Sequence, residues 1–120
     1  MRGQPATTPN AAETTSKALF RAMDDLGDST AYMSGVLNLT GSTIRNLKRG
    51  RSQLSGSQLE LALFYLRIYR SLSALMGGNM SQCRAWLGAH NDVLGSRPKE
   101  LMTSIGGLVH VADYLDSMRG

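Results

Sequence analysis

The sequence predicts an all-α protein, with a helix-turn-helix bundle in its N-terminal part and a small helical subdomain at its C-terminal end. Apolar residues recur at intervals of three and four along most of the chain, which is the spacing of one helix face. No alternating apolar and polar segment is long enough for a strand. Glycine or asparagine residues separate the periodic segments where helices commonly end. Six or seven short helices are therefore expected.

The N-terminal residues 1–14 differ in composition from the rest of the chain. They contain two of the three prolines and, apart from Met1, no large apolar side chain, so burial cannot offset the entropy lost on ordering. A disordered leader is expected there. Helical spacing then starts near Ser16, which suits an N-cap, and the first helix ends at Gly27.

Three further helices complete a first region at residues 15–78. They are expected at about 30–37, 42–49 and 58–76, with a turn at 38–41. The apolar stripe of the 58–76 helix is wider than one core-facing surface needs. Either this helix lies centrally in the bundle, or its second face meets another subunit. We favour the second interpretation, which predicts a homodimer.

A second region is expected at residues 79–120. Asn79 caps a helix that ends near Gly88, and Pro98 begins a short helix capped by Ser96. Two glycines at positions 106 and 107 are expected to break the pattern before a final helix. The apolar residues expected to be buried in this region are Trp86, Leu87, Leu94, Leu101, Leu108, Val111, Ala112 and Leu115.

The positive charge of the chain is concentrated in its first two thirds. The formal net charge is +4 and the sequence pI about 9.6. Residues 1–80 hold nine Lys and Arg against five Asp and Glu, whereas residues 81–120 hold four of each. A polyanion is therefore the partner that the N-terminal region suits electrostatically.

The remaining composition argues against secreted, membrane and enzymatic classes. The single cysteine, Cys83, cannot form an intrachain disulfide, which fits a reducing cytoplasm. No apolar run approaches the roughly 20 residues of a membrane span. His90 and His110 lie 20 residues apart with one cysteine nearby, so no zinc spacing emerges. We expect a cytoplasmic protein that is not an enzyme and has no cofactor, metal ligand or catalytic residue.

The second and third predicted helices have the spacing of a helix-turn-helix, in which one helix braces another whose outer face enters the major groove of DNA. Met33 and Leu37 supply the apolar face of the first of these helices. Leu39 fills the turn. Ile44 and Leu47 line the inner face of the second helix.

The outward positions of this second helix are basic and polar. Arginine pairs with guanine and asparagine with adenine through two hydrogen bonds each, while Lys48 and Arg51 are placed to contact phosphates. Between Ser29 and Leu59 there are four basic residues and no acidic one, which favours DNA binding over an ordinary solvated turn. The residues predicted to bind operator DNA are Ser42, Thr43, Arg45, Asn46, Lys48, Arg49 and Arg51.

The C-terminal third carries a Trp-Leu pair, an asparagine-containing loop, a Leu-Gly-x-Arg-Pro segment, a leucine-rich helix, a glycine and a hydrophobic last helix. These features are Trp86, Leu87, Asn91, Leu94, Gly95, Arg97, Pro98, Leu101, Gly107, Val111, Tyr114 and Leu115. In this order they resemble the Xre/MbcA/ParS antitoxins, whose C-terminal part binds a toxin. With an Xre-like helix-turn-helix before it, the resemblance covers roughly residues 16–120.

The resemblance implies an antitoxin of a type II toxin–antitoxin module. It implies a RES-domain toxin as partner, which consumes NAD+ or ADP-ribosylates a target and whose active site is blocked by the C-terminal helix. It also implies repression of the module's own operon and a higher-order complex of toxin and antitoxin. The residues to which the resemblance assigns toxin binding are Asp113, Tyr114, Asp116, Ser117, Met118, Arg119 and Gly120.

Two other interpretations of the sequence stay open. The chain could be a free-standing helix-turn-helix transcriptional regulator whose C-terminal part serves dimerisation only. It could also be a protein inhibitor whose helix pair does not contact DNA.

Overall fold

The computed structural model describes residues 10–120, and this part of the chain is helical, with one isolated β-bridge between Asn91 and Ser96. The all-α prediction is confirmed. Residues 1–9, which include most of the expected leader, lie outside the described residues. The helices of the described part are α1 (Ala11–Leu26), α2 (Thr30–Leu37), α3 (Gly41–Lys48), α4 (Gly56–Leu75), α5 (Met80–Gly88), α6 (Pro98–Leu101) and α7 (Ile105–Arg119).

Helix α1 begins earlier than the sequence predicted. Asn10, and not Ser16, is its N-cap, because the Asn10 side-chain oxygen accepts a hydrogen bond from the Glu13 N–H at 2.7 Å. Thr15 already lies buried on the inner face of the helix. The last residues of the expected leader therefore form the first turn of α1. The prediction started late because the large apolar residues begin only at Leu19.

The helix pair α2–α3 has the predicted turn. Asn38 ends α2 in the left-handed conformation, at φ 54° and ψ 47°, which asparagine tolerates better than most residues. Helix α3 then begins at Gly41, one residue before the predicted start, and the hydroxyl of its N-cap residue Thr40 accepts a hydrogen bond from the Thr43 N–H at 3.1 Å. The inward residues of the pair are buried as predicted, namely Met33, Leu37, Ile44 and Leu47.

Helix α4 is the central element and packs against α1, α2, α5 and α7. Its central position accounts for most of the wide apolar stripe, so a second subunit is not needed to explain it. Leu63 and Leu75 are the exceptions: Leu63 has 44% of its surface exposed beside the half-buried Phe64, and Leu75 has 37% exposed at the end of the helix. The buried residues of α4 are Leu61, Ala62, Tyr65, Leu66, Ile68, Ser71 and Leu72.

The glycines at positions 106 and 107 do not interrupt the last helix, contrary to the prediction. They lie in the first turn of α7, where the hydroxyl of the N-cap residue Ser104 accepts a hydrogen bond from the Gly107 N–H at 3.1 Å. A Cβ atom on Gly107 would lie 2.0 Å from the carbonyl oxygen of Leu101. Glycine therefore lets α7 begin directly against the end of α6.

A buried carboxylate connects α6 to the N-terminal helices. The side chain of Asp28 is 3% exposed, accepts a hydrogen bond from the Tyr65 hydroxyl at 2.6 Å, and lies 3.1 Å from the Lys99 ammonium. The Tyr32 hydroxyl donates to the Lys99 carbonyl at 2.6 Å. Burial and the adjacent Asp28 charge raise the pKa of Tyr65 well above its ordinary range, so its hydroxyl remains a donor.

Candidate functional sites

The outer face of α3 collects the basic residues that the sequence assigned to DNA. Ser42, Arg45, Lys48 and Arg49 are exposed there, Asn46 is half-buried, and Arg51 follows on the exposed loop after the helix. Within residues 10–120, none of these four cations lies within ion-pair distance of a carboxylate. Their charges are therefore available to phosphate groups.

Thr43 has a structural role that its prediction as a DNA contact did not include. Besides donating its N–H to Thr40, it forms a hydroxyl–hydroxyl hydrogen bond of 2.9 Å with Thr40, and it is half-buried. These two bonds fix the first turn of α3. In known helix-turn-helix motifs, the N-terminal end of the second helix is the part that contacts base edges.

Arg45 extends back along α3 towards this same end. Its Nη1 atom would lie 3.3 Å from a Cβ atom placed on Gly41, the first residue of the helix. The absence of a side chain at Gly41 therefore leaves room for the guanidinium group. This placement suits Arg45 to contact a base edge.

The second candidate site is the C-terminal half of α7. Leu108, Val111, Ala112 and Leu115 form its buried face. Of the residues predicted to bind toxin, Tyr114 and Asp116 are half-buried. The exposed ones are Asp113, Ser117, Met118, Arg119 and Gly120.

Arg67 of α4 binds both carboxylates of α7. It donates through Nη2 to Asp113 at 3.2 Å and through Nε to Asp116 at 3.1 Å, and the Ser71 hydroxyl donates to Asp116 at 2.8 Å. The hydrogen bonds from Arg67 and then from Ser71 lower the pKa of Asp116. Asp116 is therefore directed at α4 and anchors the end of α7.

We expect Asp116 to stabilise the fold in a pH-dependent way. Because its pKa in the folded chain lies below the unfolded value of about 3.9, its contribution is fully present above about pH 4 and is lost as the pH falls through the lowered folded value. Asp116→Asn should lower the free energy of unfolding at neutral pH by less than about 1 kcal/mol, since the side chain is 40% exposed. Urea unfolding measures this as a lower midpoint. The difference from the unsubstituted chain should shrink in acid.

A matched control for this measurement is Asp92→Asn, because the Asp92 side chain is fully exposed. It should leave the urea midpoint unchanged at both pH values. A deficit of Asp116→Asn that is equally large at neutral and acid pH would contradict the assigned role of the charge.

Arg119 lies beside this anchor, and its Nη1 atom donates to the Ser71 hydroxyl at 3.2 Å. With Arg67 and Arg70 it lines a shallow cavity of about 330 Å³. Asp116, which Arg67 already binds, lines the cavity as well, so the positive charge in excess comes from Arg70 and Arg119 and suits an anionic group of a partner.

Trp86 is not the core residue that the sequence predicted. Leu87 is buried as expected, but the Trp86 ring is half-buried and stacks on Tyr114, with ring centroids 6.3 Å apart and planes inclined by 13°. Adjacent helix residues point about 100° apart, so only one of this pair can face the centre of the core. The ring pair joins α5 to α7 and adds aromatic surface beside Met118, one turn along α7.

The described residues offer little for other chemistry. Among residues 10–120, no group of three or more His, Cys, Asp or Glu is placed to hold a metal ion, and no helix is long and apolar enough to cross a membrane. Cys83 is buried, and burial raises the pKa of its thiol. Arg97 lies 3.7 Å from Glu100, and the two exposed side chains form a local ion pair at the start of α6.

Comparison with protein families gives a match over residues 71–120, to the family described as the antitoxin Xre/MbcA/ParS C-terminal toxin-binding domain. The matched range begins within α4 at Ser71 and includes the Trp86–Tyr114 pair and the whole of α7. The resemblance found in the sequence is thereby confirmed for this part of the chain. No curated protein matches the chain.

Proposed function

Because the chain carries the toxin-binding domain of an Xre/MbcA/ParS family antitoxin, we propose that it neutralises a RES-domain toxin by blocking the toxin's active site. A toxin partner follows from the family, which also indicates a regulator and not an enzyme. The RES class, with its NAD-consuming or ADP-ribosylating chemistry, is what the resemblance of the C-terminal motifs implies. The proposed blocking element is the C-terminal end of α7.

The observation that carries this proposal is the exposed C-terminal end of α7, which follows a part of the helix that is held by contacts with α4 and α5. Tyr114 is stacked on Trp86, and Asp116 is bound by Arg67 and Ser71, while Met118 is 51% exposed at the tip. Methionine, arginine and aromatic residues are enriched in protein interfaces. A tip that is already ordered loses little conformational entropy when it enters a cleft, which favours tight binding.

Removing Met118, Arg119 and Gly120 should therefore impair neutralisation without unfolding the domain. The last buried residue of α7 is Leu115, so this truncation removes only exposed side chains. We expect a loss of at least about 2 kcal/mol, or roughly 30-fold in toxin affinity, if the tip contains a binding hot spot. Growth rescue on co-expression with a RES-domain toxin encoded beside the gene of this chain, together with calorimetry of the complex, measures the effect.

Ile105→Ala is the matched control for the truncation. Ile105 is also an exposed apolar residue of α7, at 65%, but it lies at the first turn of the helix, roughly 20 Å from Met118 at 1.5 Å per residue. This variant should rescue growth fully. Full rescue by the truncated chain would refute the blocking mechanism, provided that circular dichroism shows both variants to be folded.

We also propose that the chain represses its own operon through α2 and α3. The proposal is supported by the cations on the outer face of α3, which have no carboxylate partner within residues 10–120, and by the Arg45 side chain at the N-terminal end of that helix. Helix-turn-helix proteins commonly bind two half-sites as dimers. The chain is accordingly proposed to act as a homodimer in the cytoplasm, and to form a higher-order complex with its toxin.

A further inference from the structure

The rest of the described chain leaves one face of α4 uncovered. Leu63, with 44% of its surface exposed, lines an open groove of about 300 Å³ together with Glu60, Phe64 and Arg67. These four residues have the spacing i, i+3, i+4 and i+7, so they lie on one face of the helix. Four residues of one helix face also form the hole that receives a side chain in knobs-into-holes packing. The groove thus suits an apolar side chain from another helix.

The charges at the two ends of this groove are complementary to each other. Glu60 and Arg67 are equidistant along α4 from the midpoint between Leu63 and Phe64. A second copy of α4, crossing antiparallel about a two-fold axis at this midpoint, would bring Glu60 of each copy opposite Arg67 of the other. The same axis places Leu63 against Leu63 and Phe64 against Phe64. Such a self-complementary pattern is what a two-fold interface requires.

The groups at the ends of the groove are able to form these pairs. Within residues 10–120, Glu60 lies within ion-pair distance of no cation. Arg67 uses Nε and Nη2 to hold α7 but makes no hydrogen bond through Nη1 in the same part of the chain. Its guanidinium lies 5.1 Å from the centroid of the Phe64 ring, at the edge of the groove.

We propose that this groove is the homodimer interface, in which the α4 helices of two copies pack antiparallel around Leu63. A second copy of the chain fits better than the toxin, because two antiparallel copies of the groove pair Glu60 of each copy with Arg67 of the other. The groove residues also precede residues 71–120, which match the toxin-binding domain. The inference rests on the proposed dimer and is independent of toxin and DNA binding.

Light scattering coupled to size-exclusion chromatography tests the interface on the chain alone, at micromolar to millimolar concentrations. The unsubstituted chain should have twice the mass of the 13.0 kDa single chain. Leu63→Glu should reduce the mass to that of one chain, because two unpaired carboxylates would face each other in an apolar contact. Glu60→Lys should weaken the dimer at least about tenfold by facing Arg67 with a like charge.

Leu75→Glu is the matched control, since Leu75 is a leucine of comparable exposure on the same helix, at 37% against 44% for Leu63, but lies outside the groove. It should leave the dimer intact.

Mild oxidation gives a second measurement of the interface. Leu63→Cys should form an intermolecular disulfide across the two-fold axis, whereas Leu75→Cys should not. Cys83 is buried and should not interfere.

The outcomes separate the interface from the proposed dimer. A single-chain mass for the unsubstituted protein at every concentration would overturn both. A dimer that survives Leu63→Glu, or one that Leu75→Glu dissociates equally, would overturn the groove assignment only. Thermal unfolding of each variant by circular dichroism confirms that a lost dimer is not a lost fold, and toxin neutralisation is scored separately.

Discussion

Replacing Gly107 with alanine should lower the free energy of unfolding by about 2–4 kcal/mol, which is at the upper end of what overpacking costs. The added Cβ atom would lie 2.0 Å from the Leu101 carbonyl oxygen, 2.7 Å from the Leu101 carbonyl carbon and 2.9 Å from the Ser104 hydroxyl. Two of these three atoms are backbone and cannot rotate away. Helix α7 would have to move from α6, and the buried Leu108 in its next turn would move with it.

Gly106→Ala provides the matched control for this prediction. Gly106 is in the same helical turn, but a Cβ atom placed there would meet no heavy atom within 4 Å apart from its chain neighbours and the adjacent backbone of its own helix. Alanine should therefore leave stability unchanged or raise it by up to about 1 kcal/mol through the unfolded state. Urea unfolding of both variants measures the contrast. Equal effects of the two substitutions would show that the close approach of α7 to α6 is not maintained in solution.

Replacing both Arg45 and Arg49 with alanine should nearly eliminate specific binding to the operator. If each guanidinium contacts a base, each is worth about 1–3 kcal/mol, so the double variant should lose at least about 30-fold in affinity. Both side chains are exposed on α3 and neither contributes to the core, so the variant should remain folded. Fluorescence anisotropy with the promoter fragment of the chain's own operon measures the loss.

Two controls define what the loss means. Arg70→Ala removes the same charge from an exposed site on α4 and should change operator affinity little. Arg51→Ala should weaken specific and non-specific DNA about equally and reduce the salt dependence by about one unit, as expected of a phosphate contact. The Arg45/Arg49 double variant should still neutralise the toxin. Unchanged operator affinity in that variant would remove α3 from the DNA interface.

The helix-turn-helix could be predicted from the sequence because local signals define it. Asn38 marks the left-handed turn, and the inward residues Ile44 and Leu47 follow from helical spacing alone. The start of α1 could not be predicted in the same way. Its first turn contains small residues and is fixed by the Asn10 cap, so periodicity carries no signal there.

The candidate toxin site was predictable only as a segment of sequence. Its anchoring depends on Arg67, which reaches Asp116 across 49 residues of chain, and no local pattern indicates such a pair. The half-exposed position of Trp86 depends equally on Tyr114, a residue of another helix. One sequence signal could have indicated that Trp86 is not fully buried. It directly precedes Leu87 on the same helix, and two adjacent helix residues cannot both face the centre of the core.

The buried contact of Asp28 with Tyr65 and Lys99 has a consequence for engineering of such antitoxins. A chimera that joins residues 71–120 to an unrelated DNA-binding region would leave the Lys99 ammonium without its carboxylate and α7 without its neighbours on α4. Exchange of toxin specificity between relatives should therefore succeed when surface residues of α7 are transplanted, and fail when the whole C-terminal part is grafted without Asp28 and α4.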